Sequence, residues 1–164
     1  MNKSPVQFKP SSQNAFSWID HLNANAIGGE GIVIEITEGL LLEDADVLKT
    51  QFSAFKHAGI QFVLDDFGTG YSTLSYLQRF DIDYLKINRA FVKNLGPNSS
   101  DLVLCEAIIV MAHKLGIKVI SEGVETVQQL ELLKIAGCDY AQGFLFSKAI
   151  PLNEIMHFKI NFIH

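Results

Sequence analysis

The sequence predicts an α/β fold on a parallel sheet, closed as a barrel rather than left open, and two observations predict it. Short β-branched runs alternate with longer stretches of helical periodicity, and parallel strands need long crossovers for which a helix is the usual solution. Glu35, Asp65, Asp66, Lys86, Glu122 and Gln142 stand at or near the C-terminal ends of successive runs. A barrel gathers such ends on one rim, whereas an open sheet would set them in a row. No Gly-x-Gly-x-x-Gly or Walker loop is present, since Gly68-Thr-Gly70 lacks a third glycine and a lysine. That argues against a dinucleotide or nucleoside triphosphate site of the glycine-loop kind.

The elements follow in order. Residues 1–11 carry Pro5 and Pro10 and little periodicity, so they read as irregular. Phe16, Ile19 and Leu22 recur at helical spacing between Ser12 and Ala26, and Gly28-Gly29 stops the pattern. Gly31–Thr37 is a β-branched strand, followed by a helix from Glu43 to His57 with Leu48, Phe52 and Phe55 on one face, closed by Gly59. Ile60–Asp65 is the next strand, with a short helix around Ser72–Gln78. Tyr84–Asn88 is another strand, and Arg89–Leu95 follows it. A long helix from Asp101 carries Leu102, Cys105, Ile109 and Ala112 and ends at Gly116. Lys118–Ser121 reads as a strand, Thr126 and Gln129 form a capping box, and Gly137 closes the helix they start. Tyr140–Phe146 is expected as the last strand and Leu152–Phe158 as a terminal helix.

Composition narrows the function classes. The 164 residues are 48% hydrophobic and 19% charged, enough to bury the core of one domain or of a piece of one. A formal charge of -5 with no Lys/Arg cluster argues against a nucleic-acid duplex as partner. Cys105 and Cys138 lack a cysteine-rich framework and read as two buried thiols in a reducing compartment. The N-terminus has no apolar leader, and no window approaches about 18 uninterrupted apolar residues, so a cytoplasmic chain without a membrane segment is expected.

The chemistry lies in the polar strand ends. Asp65 and Asp66 close an apolar strand, where desolvation and mutual repulsion disfavour two charges unless a cation lies between them. Two divalent ions about 3.5–4 Å apart can clamp both oxygens of an in-line phosphoryl displacement and acidify the attacking water. Glu35, Asp65, Asp66 and Glu122 are the candidate hard-oxygen ligands, and Gln142 could add an amide oxygen or a base contact. Lys86 could bind a phosphate oxygen or hold the attacking water, or serve as a structural lysine that snorkels outward. Glu38 and Glu125 are placed to orient these groups from the loops. His21, His57, His113, His157 and His164 read as solvent-facing or helix-terminal, and the Phe and Leu stripes as core.

Together, Glu35-Ile-Thr-Glu38, Asp65-Asp-Phe-Gly-Thr-Gly-Tyr71-Ser72, Asp83-Tyr-Leu-Lys-Ile-Asn-Arg89, Ser121-Glu-Gly-Val-Glu-Thr126 and Gln142-Gly-Phe144 form an ordered set. In this order and spacing the chain resembles the EAL domain, the cyclic di-GMP phosphodiesterase module of bacterial signalling. The resemblance implies a (β/α)8 barrel that hydrolyses one phosphodiester bond of cyclic di-GMP to give linear pGpG, with two Mg2+ or Mn2+ ions. It implies Glu35, Asp65 and Asp66 as metal ligands, Glu122 as ligand or general base, and Lys86 as the contact to the attacking water. Glu38 would support the Gly68–Ser72 loop, and Gln142 would lie near the guanine or the metal shell. Asn2-Lys-Ser-Pro-Val-Gln-Phe8 resembles a further family segment, which would make Asn2 a metal-binding amide.

The departures from the family pattern set further expectations. Residues 1–164 correspond to the C-terminal two-thirds of such a barrel, without its first two strands, most of the third and the Glu-Ala-Leu segment with its metal ligand and arginine. Asn88 stands where the family usually has Asp, and Ala149 where it usually has Pro. A partial domain is therefore expected to turn over slowly and to pair its open edges in a homodimer or with the missing N-terminal part of a larger signalling protein. The alternative is an inactive module that binds cyclic di-GMP or a protein. A glycoside hydrolase using Glu35 and Glu122 would leave Asp65, Asp66 and Lys86 without a task.

Overall fold

A computed structural model describes residues 14–41, 45–68 and 74–155. The elements are α1 (Asn14–Ala24), a 3-10 turn (Gly29–Gly31), β1 (Val33–Thr37), α2 (Glu38–Leu41), α3 (Ala45–His57), β2 (Gln61–Phe67) and α4 (Leu74–Arg79). There follow β3 (Tyr84–Ile87), α5 (Arg89–Lys93), α6 (Ser100–Lys114), β4 (Lys118–Glu122), α7 (Val127–Ile135), β5 (Tyr140–Gln142) and α8 (Leu152–Ile155). The strands form one five-stranded parallel sheet in the sequential order β1-β2-β3-β4-β5. Sequential parallel order with a helical crossover at every step is the winding of a (β/α)8 barrel, of which the described residues supply five strands.

The period of two along each strand divides its side chains between helix-facing and inner positions. Ile34, Ile36, Phe62, Leu64, Leu85, Ile87 and Val119 are buried in the core that lies under the helices. Phe62 stacks on Phe52 of α3 at 4.1 Å between ring centroids, and Phe52 also meets Phe80 at 5.1 Å. The alternate positions, including Glu35, Asp65, Lys86 and Glu122, are left for the inner face.

One anchoring device occurs twice and was not legible in the pattern. Asp83, just ahead of β3, accepts from the Phe62 amide at 2.7 Å and from Lys56 Nζ at 2.6 Å. Asp139, just ahead of β5, accepts from the Val119 amide at 2.8 Å and pairs with His113 Nε2 at 2.8 Å. Each aspartate ties an amide near the start of the neighbouring strand to the last turn of a helix. Asp83→Ala is expected to cost about 2 kcal/mol, the worth of charge-assisted hydrogen bonds lost at a half-buried site, read from the urea midpoint. Burial opposes ionisation of Asp139, but the bonds from His113 and Val119 outweigh it and hold its pKa below the ordinary carboxylate value. A depressed folded-state pKa contributes stability that is present above about pH 4 and lost as pH falls through the folded value. Asp139→Asn is therefore expected to flatten the acid limb of a stability-versus-pH curve, and an unchanged limb would contradict this.

Several boundaries differ from the sequence reading. The last strand stops at Gln142 rather than Phe146, because Val124 N–H donates to Gln142 O and Leu145 N–H donates to Val124 O, which folds the chain across the end of β4. Glu38–Leu41 forms its own helical turn, which periodicity did not suggest. Cys105 is buried and its thiol pKa is pushed up to about 12 by burial, as expected of an inert core thiol, whereas Cys138 is only half buried. Its Sγ–H reaches Tyr140 O at 3.2 Å, so β5 holds it near the surface. The capping box is present as read, with Thr126 Oγ1 accepting from Gln129 N–H and the Gln129 side chain returning to Thr126 N–H. No helix among the described residues is long and apolar enough to cross a membrane.

Candidate active site

The inner-face polar residues converge at the C-terminal end of the sheet. Lys86 of β3 is 4% exposed, and its ammonium bonds Glu35 Oε1 of β1 at 2.7 Å and Glu122 Oε1 of β4 at 2.8 Å. Asp65 Oδ1 of β2 completes the surround at 3.7 Å. Four neighbouring strands thus each send one charged group to a common point. The outward, snorkelling reading of Lys86 is not what the fold adopts.

A bulge in β2 makes this possible. Leu64 registers with Leu85 and Phe67 with Ile87, so Asp65 and Asp66 together face the single residue Lys86. Asp66 takes the left-handed conformation (φ 59°), one of the few that lets two consecutive residues escape strict alternation. The two aspartates are thereby given different partners. Asp65 stays half-buried beside Lys86, while Asp66 is exposed and accepts from Asn88 Nδ2 at 2.6 Å. Asn88 Oδ1 in turn accepts from Ala90 N–H at 2.7 Å and caps α5. An aspartate at position 88 could not donate this bond while ionised.

The loops beyond the strands are held by their own contacts. Glu38 Oε1, at the start of α2, accepts from Gly68 N–H at 3.0 Å, which ties α2 to the end of β2. Residues 69–73, which follow β2, and Asn2 lie outside the described residues. Gln129 is buried, and its Oε1 accepts from Glu125 and Thr126 amides while its Nε2 donates to Val92 O at 3.1 Å. It therefore pins the loop after Glu122 to α5, a role beyond the capping box visible in the sequence. Gln142 registers beside Glu122 and is exposed. A cavity of about 230 Å3 lies here, lined by Arg89, Glu122, Glu125, Gln142 and the 64% exposed ring of Phe144.

Charge in the cluster is unbalanced. Burial raises the Asp65 pKa, Lys86 lowers it, and Glu122 adds to the rise, with a net displacement upward. Burial also works against the Lys86 ammonium, but its bonds to Glu122 and Glu35 prevail and hold its pKa above the ordinary lysine value. Three carboxylates about one ammonium leave negative charge in excess, and hard oxygens in excess negative charge are the donor chemistry of a divalent cation. The residues fit such an ion in type and charge. As placed they close on Lys86 instead, and among the described residues no group of three or more His, Cys, Asp or Glu side chains is set around a metal position.

Comparison with known proteins places this geometry. The family model described as "EAL domain" matches residues 1–149. The chain belongs to the EAL domain family. It is 41% identical over 125 residues to the cyclic di-GMP phosphodiesterase NbdA of Pseudomonas aeruginosa, covering 76% of this chain and 16% of that protein. Among solved structures, the PaMucR phosphodiesterase in complex with c-di-GMP superposes with a TM-score of 0.84 at 34% identity, over 94% of this chain and 62% of that one. The manganese/cy-diGMP complex of Klebsiella pneumoniae BlrP1 at pH 9.0 matches with a TM-score of 0.79 at 31% identity, over 90% and 38%. This EAL chain spans 16% to 22% of the length of the curated relatives it matches.

Proposed function

We propose that this chain carries the catalytic rim of a cyclic di-GMP phosphodiesterase domain, which hydrolyses one phosphodiester bond to give linear pGpG. The observation that carries the reading is the convergence of Glu35, Asp65 and Glu122, from three strands, on Lys86 of a fourth. The names of NbdA and PaMucR as phosphodiesterases, the c-di-GMP complex of PaMucR and the manganese/cy-diGMP complex of BlrP1 support it. Glu35, Asp65, Asp66 and Glu122 would hold Mg2+ or Mn2+, with Asn2 as a further ligand. Such ions supply an acidified water and a counter-charge for the phosphate.

The chain's own groups then divide the work. Water adds to phosphorus, the P–O3′ bond breaks, and the 3′ oxygen takes a proton from solvent and leaves as a hydroxyl. Lys86 donates a hydrogen bond to the attacking water, Glu122 takes its proton, and Glu38 holds the Gly68 turn beside them. Gln142 contacts the guanine at the neighbouring cavity. Two free thiols suit a reducing compartment, so we place the domain in the cytoplasm. β1 and β5 each present an edge that has no partner strand among the described residues, and a second copy or further strands of the same barrel would pair it.

Incubation with cyclic di-GMP and Mn2+, followed by chromatography, tests this. Wild type is expected to yield pGpG and Glu122→Gln to yield at least about 100-fold less. A second reading, binding without hydrolysis, rests on the ion pairs that already commit Glu35 and Glu122 to Lys86. Calorimetric binding with no product selects that reading, and neither binding nor product overturns both.

A further inference from the structure

The end of the sheet opposite the carboxylates carries a second concentration of charge, of the other sign. Between α3 and the turn from α4 into β3 lies a cavity of about 400 Å3, walled by Lys49, Lys56, His57 and Arg79 and floored by Phe52 and Phe80. Lys49 and Lys56 are two turns apart on one face of α3, so both flank the same opening. A neighbouring cavity of about 520 Å3, across the Arg79–Asp81 segment, adds Lys114.

These cations are not equivalent. Lys56 is committed to Asp83 at 2.6 Å and to Asp81 at 3.3 Å. Lys49, Arg79 and Lys114 have no ion-pair partner among the described residues. In a chain of formal charge -5, three unpaired cations about one segment form a local positive field. The buried rings of Phe52 and Phe80 give the cavity a low-dielectric floor, where each charge-assisted bond is stronger than on open surface. The opposing charge is Asp81, whose carboxylate is 81% exposed and held by Lys56.

We infer that this cavity binds a small phosphorylated ligand, with the phosphate held by Arg79 and Lys49. The guanidinium fork suits paired phosphate oxygens, and the second cation, from a different element, suits a dianion better than a single carboxylate. The cavity volume falls in the range of small-molecule sites. The Phe floor leaves room for the ligand body, either a nucleobase or a sugar.

The test is titration calorimetry on the whole chain in EDTA, so that the rim carboxylates hold no metal that could capture the probe. Inorganic pyrophosphate is the first probe, and AMP and ribose 5-phosphate are the next. Saturable pyrophosphate binding is expected, weakened at least about tenfold in the double variant Arg79→Ala/Lys49→Ala and unchanged in Glu122→Gln. Asp81→Asn is expected to tighten it. AMP binding more tightly than ribose 5-phosphate would identify a nucleoside phosphate, and equal affinity would identify recognition of the phosphate group alone. Absence of saturable binding up to about 10 mM overturns the assignment, because two unshielded cations in a dry-floored cavity should exceed that affinity. Binding that survives the double variant, or that Glu122→Gln weakens equally, also overturns it. All three positions are exposed, so these substitutions leave the fold intact.

Discussion

Lys86→Met is expected to destabilise the chain by about 3–5 kcal/mol at neutral pH, because it removes the buried partner of three carboxylates and leaves their charge uncompensated. Glu35, Asp65 and Glu122 are 19% to 25% exposed, so water can only partly replace the ammonium. The loss should shrink as pH falls, since Asp65, whose pKa burial already raises, protonates early and relieves the repulsion. It should also shrink in Mn2+, which supplies the missing charge from solution. Urea unfolding of wild type and variant across pH measures both. A loss below about 1 kcal/mol would show that Lys86 behaves as an ordinary surface lysine.

Gly143→Ala carries the second large effect. A Cβ at this position would lie 2.2 Å from Val124 O and 2.3 Å from Val124 N, and both are backbone atoms that cannot rotate away. Those atoms are already engaged, with Val124 N–H on Gln142 O and Leu145 N–H on Val124 O. Insertion of one methyl group must therefore separate the segments that follow β4 and β5, directly after Glu122 and Gln142. We expect a loss of about 3 kcal/mol and a displaced rim. Thermal unfolding reads the first, and loss of cyclic di-GMP binding in a variant that remains folded reads the second. Unchanged stability would mean that the two loops are not tied as described.

The parts that were legible in the sequence share a local cause. Short β-branched and apolar runs and the glycine stops placed every strand, and the serial appearance of Glu35, Asp65, Lys86 and Glu122 at strand ends indicated one rim. What was not legible depends on register between strands. Nothing in Asp65-Asp66 alone says that a bulge will set both against Lys86 and then give Asp66 to Asn88, because that follows from where Leu85 and Ile87 pair. Nothing local to Asp83 or Asp139 marks either as an anchor, because the amides they hold, Phe62 and Val119, lie about 20 residues away in sequence. Gln129 showed its capping role but not its reach to Val92, which is tertiary. Phe146 fell outside the last strand because a close backbone approach at Gly143 overrode a good β pattern.

We propose that side chains from separate strands form one anionic site for divalent cations. Calorimetric titration of Mn2+ into wild type, Glu35→Gln and Glu122→Gln tests it most directly. Saturable binding that each substitution weakens by at least about tenfold is the result expected. Binding of equal strength in all three proteins, or none in wild type, would contradict it.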